Sequence, residues 1–424
     1  MKNGKTVKKI IRALGIVTVM VVVSGCTTFD NFKNTYIDKK EDITNPVITI
    51  GVFEPVTGRD SASGKQEIKG IELAHSIYNN VIGYEVRLLK VDTQSSVAAS
   101  ETAIQSLIEA RPVAIIGSSG EASSLVASKY IEEAAIPTIT PSAVNPLITE
   151  GSYYFRACLT GSQIGAGVAE YAYEELGSNK IAIVRLKNDG TTTAAVEGFE
   201  DNIKKLAGRK SAAICMNLEI NDSNEDIDNA FKEIIRNNAD VCYTPLDTQI
   251  MDKLFTLVEK YNRTDIIFLG IRNWGEDDFV RMMKKHPDIK VVFPYTSVLE
   301  SPNEATDALT EETRKFQIEY ANMYGSEDIP TDNAARGYDS YLLLINAIHR
   351  AGSIEGRDIR EALHAFENIK CVTGTFEFDQ SGNIIRSVNL STLKKGKIVS
   401  EYTTKKAEKA SDIAQIEKAE GEEE

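Results

Sequence analysis

The side chains able to do chemistry are scattered in this sequence. His75, His286, His349 and His364 fall in no HExxH-like spacing, so neither metal ligation nor histidine-based catalysis is indicated. Cys158, Cys215, Cys242 and Cys371 are far apart and form no CxxC, which argues against zinc and thioredoxin-like chemistry. They sit in apolar or strand-like contexts and read as buried free thiols, with one disulfide left open. Asp222, Asn224, Asp226 and Glu233 mimic part of a calcium loop, but Ile227 stands where that loop demands glycine; turn plus helix cap is the better reading. No P-loop, nucleophile elbow or kinase set occurs. Nothing implies a cofactor or metal, and an enzyme is the least favoured class.

What remains are groups suited to binding. Ser118 and Ser119 lie in the GSSG stretch before a predicted helix, where free N–H groups can hold an anion. Glu121 opens that helix; it either faces a ligand or favours the positive helix end. Trp274, the sole tryptophan, falls in a loop after a predicted strand. There it is either a stacking platform or a packing residue.

These groups are carried on a regular alternation. Predicted strands at 47–53, 86–91, 113–117 and 136–140 alternate with helices at 64–79, 97–110 and 121–134. Ile68, Ile71, Ala74 and Ile77 show the helical period in the first helix. A second series has strands at 180–186, 211–217, 240–244, 265–270 and 290–295, with helices near 192–206, 226–237, 248–262 and 276–284. Helices near 304–323, 333–351 and 357–367 follow, then strands at 372–378, 386–393 and 397–403. The fold class is α/β, with two doubly wound parallel-sheet lobes. Ligands of such sheets bind at strand carboxyl ends, and two facing lobes make a cleft that can close.

Composition fits this picture. The chain has 424 residues, 42% hydrophobic and 26% charged, enough for about two domains. Its formal charge of −14 argues against a nucleic-acid partner. Five cations precede an apolar run from Ala13 to Val23, followed by Ser24-Gly25-Cys26. That is the pattern of a secretory signal, too short to span a bilayer. The cysteine after Ser-Gly makes it resemble a bacterial lipoprotein signal. The resemblance implies cleavage of residues 1–25 and acylation of Cys26, a firm anchor at the extracytoplasmic face of the cell membrane. An ordinary signal peptide with a chance cysteine is the alternative. Residues 26–45 read as a tether and 405–424 as a charged tail.

From Ile48 onward, five stretches occur in order: ITIGVFEPVTGRDSASGKQEIKGIELA, VAIIGSSGEASSLVA, IPTITPSAVNPLIT, YYFRACLTGSQIGAGVAEYAYEELGSNKIAIV, and GYDSYLLLINAIHRAG with VTGTFEFDQSGN. Together they resemble the leucine/isoleucine/valine-binding protein family, solute-binding proteins of ABC transporters with the type I periplasmic-binding fold. The resemblance implies a three-crossing hinge, near Cys158, Thr296 and Cys371. Lobe one would be 46–157 plus 297–371, and lobe two 158–296 plus 372–404. It further implies a non-catalytic receptor that captures a small polar ligand, an amino acid or related compound, for ABC permease and ATPase subunits. A sensory lipoprotein signalling to a membrane partner is the alternative.

The family's ligand groups are largely replaced. The hydroxyls and N–H groups that hold an α-carboxylate match Glu121 and Val144, neither of which offers a hydroxyl. The acidic partner of the ammonium matches Arg272, and cleft aromatics match Ser63 and Thr191. Ser142 and Ala143 join Ser118 and Ser119 as expected contacts, because backbone contacts survive side-chain change. Tyr295, at a proposed crossing, either lines the cleft or packs at the hinge. A solute with its cation near Glu121 and its anion near Arg272 would fit this reversed charge arrangement.

Overall fold

The computed structural model describes residues 46–208, 213–295 and 311–405. Cys26, the expected signal and tether, and the crossing near Thr296 lie outside them.

In chain order the elements are β1 Val47–Glu54, α1 Ser61–Ile77, β2 Asn80–Val81, β3 Tyr84–Asp92, α2 Val97–Glu109, β4 Ala114–Gly117, α3 Glu121–Ala134, β5 Thr138–Thr140 and β6 Tyr154–Arg156. Next come α4 Gly161–Glu170, β7 Ile181–Leu186, α5 Gly190–Ala207, β8 Ile214–Ile220, α6 Asn224–Arg236, β9 Val241–Tyr243, α7 Thr248–Lys260, β10 Ile267–Leu269, α8 Asp277–Met283 and β11 Lys290–Pro294. The last are α9 Glu311–Tyr324, α10 Asp332–Ala351, α11 Gly356–His364, β12 Ile369–Cys371, β13 Gly374–Phe376, β14 Asn389–Lys394 and β15 Lys397–Thr403.

Two sheets result. The first runs β2-β3-β1-β4-β5-β6 and the second β15-β14-β11-β10-β9-β7-β8. Pairs from β3 through β6, and from β8 through β11, are parallel. Antiparallel strands sit at the margins, β2 on the first sheet and β14 and β15 on the second. Helices cover both faces, as buried parallel strands require.

Local sequence explains the helices. In α6 the buried residues Ile227, Ala230, Phe231 and Ile234 follow the helical period, and the Ser223 hydroxyl accepts from the Asp226 N–H at its start. The calcium-like stretch is therefore turn plus cap. A capping box of Thr160 and Gln163 opens α4, and Gly352, with φ of 59°, closes α10. The four cysteines among the described residues are free thiols.

The cores place the passages between lobes. Leu159, beside the expected crossing near Cys158, packs against apolar clusters on both sheets. The third falls later than Cys371. Val372, Phe376, Phe378 and Ile384 belong to the first lobe's core, whereas Val388 and Leu390 belong to the second. The short β12–β13 ribbon carries the chain across the first lobe before it leaves.

Asp339 on α10 pins this late segment. Fully buried, it accepts from the Val372 and Thr373 N–H groups, both at 2.8 Å, and from the Thr373 hydroxyl at 2.7 Å. Asp339→Ala leaves these donors unpaired, so a loss of about 3 kcal/mol or more is expected. Urea unfolding should show a lower midpoint with an unchanged slope; an unchanged midpoint would mean that the segment is held by other contacts.

Candidate functional site

The first lobe gathers its polar groups at the carboxyl ends of β1, β4 and β5. Ser118 is fully buried. Its N–H donates to Ser124 Oγ at 3.1 Å, and its own hydroxyl accepts from the Gly120 N–H at 3.2 Å. Half-buried Ser119 donates its N–H to Glu54 Oε2 at 2.8 Å, and its hydroxyl lies 3.4 Å from that of Ser63.

The loop after β5 is held just as closely. The Ala143 N–H donates to Thr140 Oγ1 at 3.0 Å. The N–H groups of Val144 and Asn145 donate to the two oxygens of Glu121, at 2.6 and 2.9 Å. From the other side, Arg156 donates to the carbonyls of Val144 and Asn145 at 2.6 and 2.7 Å. The same two residues thus lie between a carboxylate and a guanidinium, both in charge-assisted hydrogen bonds. Glu121 is exposed and Arg156 fully buried, so only the negative end of this relay meets solvent.

Below the floor lies a pair of carboxyl groups, Glu54 ending β1 and Glu67 on α1, both fully buried. The Ser142 hydroxyl donates to Glu67 Oε1 and is itself met by Arg336 Nε at 3.0 Å. Glu54 Oε1 and Glu67 Oε2 are buried and have no hydrogen-bond partner among the described residues. Burial and the charge of Glu67 hold the Glu54 carboxyl well above the usual range. Burial raises Glu67 to about 7, against the opposing pull of Ser142 and Arg336.

The second lobe contributes the turn after β10. Arg272 is exposed there and makes an ion pair with Asp332, in the first turn of α10 on the first lobe. The pair crosses between lobes, and Arg272 already has a carboxylate partner, so the expected solute anion meets an occupied cation. Trp274 is not a platform on the cleft. Its indole is 1% exposed, stacks on Phe279 at 4.6 Å, and donates to the Leu246 carbonyl at 2.9 Å. Half-buried Tyr295, beyond β11, packs edge-on to Phe293 at 6.0 Å. Thr191 lies in the first turn of α5, and its side chain is outside the described part of the structure.

Ser119, Glu121, Ser142, Ala143 and Val144 therefore meet at one edge of the first lobe, while Arg272 approaches from the second. Sequence reasoning missed Glu54, Glu67, Arg156, Arg336 and Asp332. Glu54 carried one readable signal, an acid at the carboxyl end of a strand that is otherwise apolar except for Thr49.

Against this geometry the comparisons are decisive for family. The sequence matches the periplasmic binding protein family over residues 47–397. The chain belongs to that family. An amino acid binding protein of Pseudomonas aeruginosa is 29% identical over 147 residues, 33% of this chain and 39% of the relative. That alignment thus spans about two fifths of the relative's length. A leucine binding protein from Thermotoga maritima superposes with a TM-score of 0.63 at 25% identity, covering 86% of this chain and 100% of that one. A solute-binding protein of Rhodopseudomonas palustris, solved with benzoate, superposes with a TM-score of 0.61 at 21% identity, over 86% and 98% of the two chains. The fold is the type I periplasmic-binding fold with two lobes. Membership implies an extracytoplasmic location and the fold of a solute-binding protein. Among the described residues no helix is long and apolar enough to cross a membrane.

The acid pair gives the periplasmic binding protein a pH signature. Glu67 has a folded pKa of about 7 against an ordinary 4.5, so the folded state binds more protons between those values. Stability is then highest below that window and falls as pH rises through it. In Glu67→Gln, melting temperature should decline less between pH 5 and 7.5. An equally steep decline in variant and native protein would show that the pair does not carry the effect.

Proposed function

We propose that this protein is a lipid-anchored extracytoplasmic receptor that captures a small polar solute, an amino acid or related compound, between its lobes and delivers it to ABC permease and ATPase subunits. The Arg272–Asp332 pair carries the reading. It joins a loop at a carboxyl strand end of one lobe to the helix start that borders the polar edge of the other. A solute touching both lobes stabilises the closed arrangement by its extra contacts there. The pair is partly exposed, so it contributes at most about 1 kcal/mol and does not lock the lobes. Family membership supports solute capture, and the signal-like start ending in Cys26 supports the anchor.

Thermal unfolding of the intact chain in mild detergent tests capture. The panel would hold amino acids, amides, polyamines, sugars, nucleosides and carboxylates. A true solute at 100 times its dissociation constant should stabilise by about 2.7 kcal/mol. No shift with any class would overturn capture and favour a sensor answering to a protein partner. The anchor has its own test: Cys26→Ala expressed in a bacterial host should leave the membrane fraction, and retention there would remove the lipid reading.

A further inference from the structure

Strand carboxyl ends and helix starts receive anions because their N–H groups lack partners. In the first lobe the N–H groups of residues 118–120 and 143–145 all have partners inside the protein. Three of those partnerships end on carboxylates. Glu54 takes the Ser119 N–H, and Glu121 takes both Val144 and Asn145 in a two-pronged contact. Glu121 thereby makes the contacts that an incoming carboxylate would make.

The surrounding charges do not reverse its sign. Arg156 lies behind the loop, fully buried, with two N–H groups committed to carbonyls. Arg336 is committed to Ser142 and Asn333, and Arg272 to Asp332. Beneath the loop, fully buried Glu54 and Glu67 each keep an oxygen that no other protein group satisfies. The Glu121 carboxylate is exposed at this edge, and the exposed Arg272 that approaches it is paired with Asp332.

We propose that Glu121 is a resident carboxylate occupying the anion position of the first lobe, and that this lobe receives the amine or amide end of its solute. The inference rests on the solute-capture reading and narrows its class. A solute with a free carboxylate directed at the loop after β5 meets like charge and no free N–H among these six. An ammonium or carboxamide N–H finds an acceptor in Glu121.

The test uses matched sets of free L-amino acids, their carboxamides and the corresponding decarboxylated amines. Thermal shift on the intact chain identifies hits, and calorimetric titration ranks each against its matched partners in native protein, Glu121→Ser and Glu121→Gln. An amide or amine should bind native protein at least tenfold tighter than the matching free acid. Both variants should shrink that preference at least tenfold. Glu121→Gln preserves size should Glu121→Ser fail to fold, and the native ranking stands without either variant. A free amino acid that binds native protein as tightly as its amide, or a preference unchanged in the variants, overturns the proposal and leaves capture standing. So does binding of sugars alone. Absence of binding across these sets and the wider panel overturns capture, and this proposal with it.

Discussion

The backbones of α1 and α10 touch, and much of the first lobe's polar arrangement depends on that contact. A Cβ on Gly70 would stand 1.8 Å from the Ala334 carbonyl oxygen, and one on Gly337 would stand 2.2 Å from that of Glu67. Only glycine permits such an approach at both positions. The contact buries Glu67 between the helices and β1, where Glu54 already ends its strand. It also sets Arg336, one residue before Gly337, against Ser142. The second lobe repeats the device between α4 and α5, where a Cβ on Gly165 would fall 1.8 Å from the Ala195 carbonyl oxygen.

Burying two carboxyl groups side by side is costly unless charge is removed or matched. Here burial favours the neutral form of both acids, while Arg336, acting across Ser142, offsets negative charge on Glu67. The same logic governs the loop after β5, where Glu121 holds the N–H and Arg156 the carbonyl of the Val144–Asn145 peptide. These interactions lie within one lobe and fix its edge before any solute arrives. The interlobe pair is different in kind, exposed and screened by salt. Rigid lobes with a weak bridge suit a protein that must open and close.

The β-α alternation was legible because it is local. Helix α3 begins and ends at Glu121 and Ala134, as the apolar period indicates. Strand ends shifted by a few residues, β8 most, since hydrogen bonds rather than composition set them. The long-range relations were not legible. Glu54 and the Ser119 N–H are 65 residues apart, and Arg272 and Asp332 are 60 apart. Nothing in either neighbourhood names its partner. Trp274 misled because a tryptophan after a strand reads equally as platform or core, and the phenyl ring that stacks on it lies in the next helix. Likewise Cys371 directly precedes the expected strand at 372–378, but Val372, Phe376 and Phe378 of that stretch still pack in the first core.

The relation between fold and ligand turns on a comparison of magnitudes. A hydrogen bond to a charged group contributes about 1.5–3 kcal/mol. Two unit charges of like sign about 4 Å apart, at an effective dielectric near 20, repel by about 4 kcal/mol, roughly a thousandfold in affinity. One carboxylate at the loop after β5 therefore rejects an anion more strongly than one added contact attracts a favoured solute. Selectivity placed this way needs no change to the strands, helices or lobe contacts. One fold, here matched over residues 47–397, can in this way serve solutes of different charge. Selectivity placed this way also gives a reason for the relay through Arg156. Arg156 fixes the carbonyl side of the loop whose N–H side Glu121 holds, so the two together set where those N–H groups point.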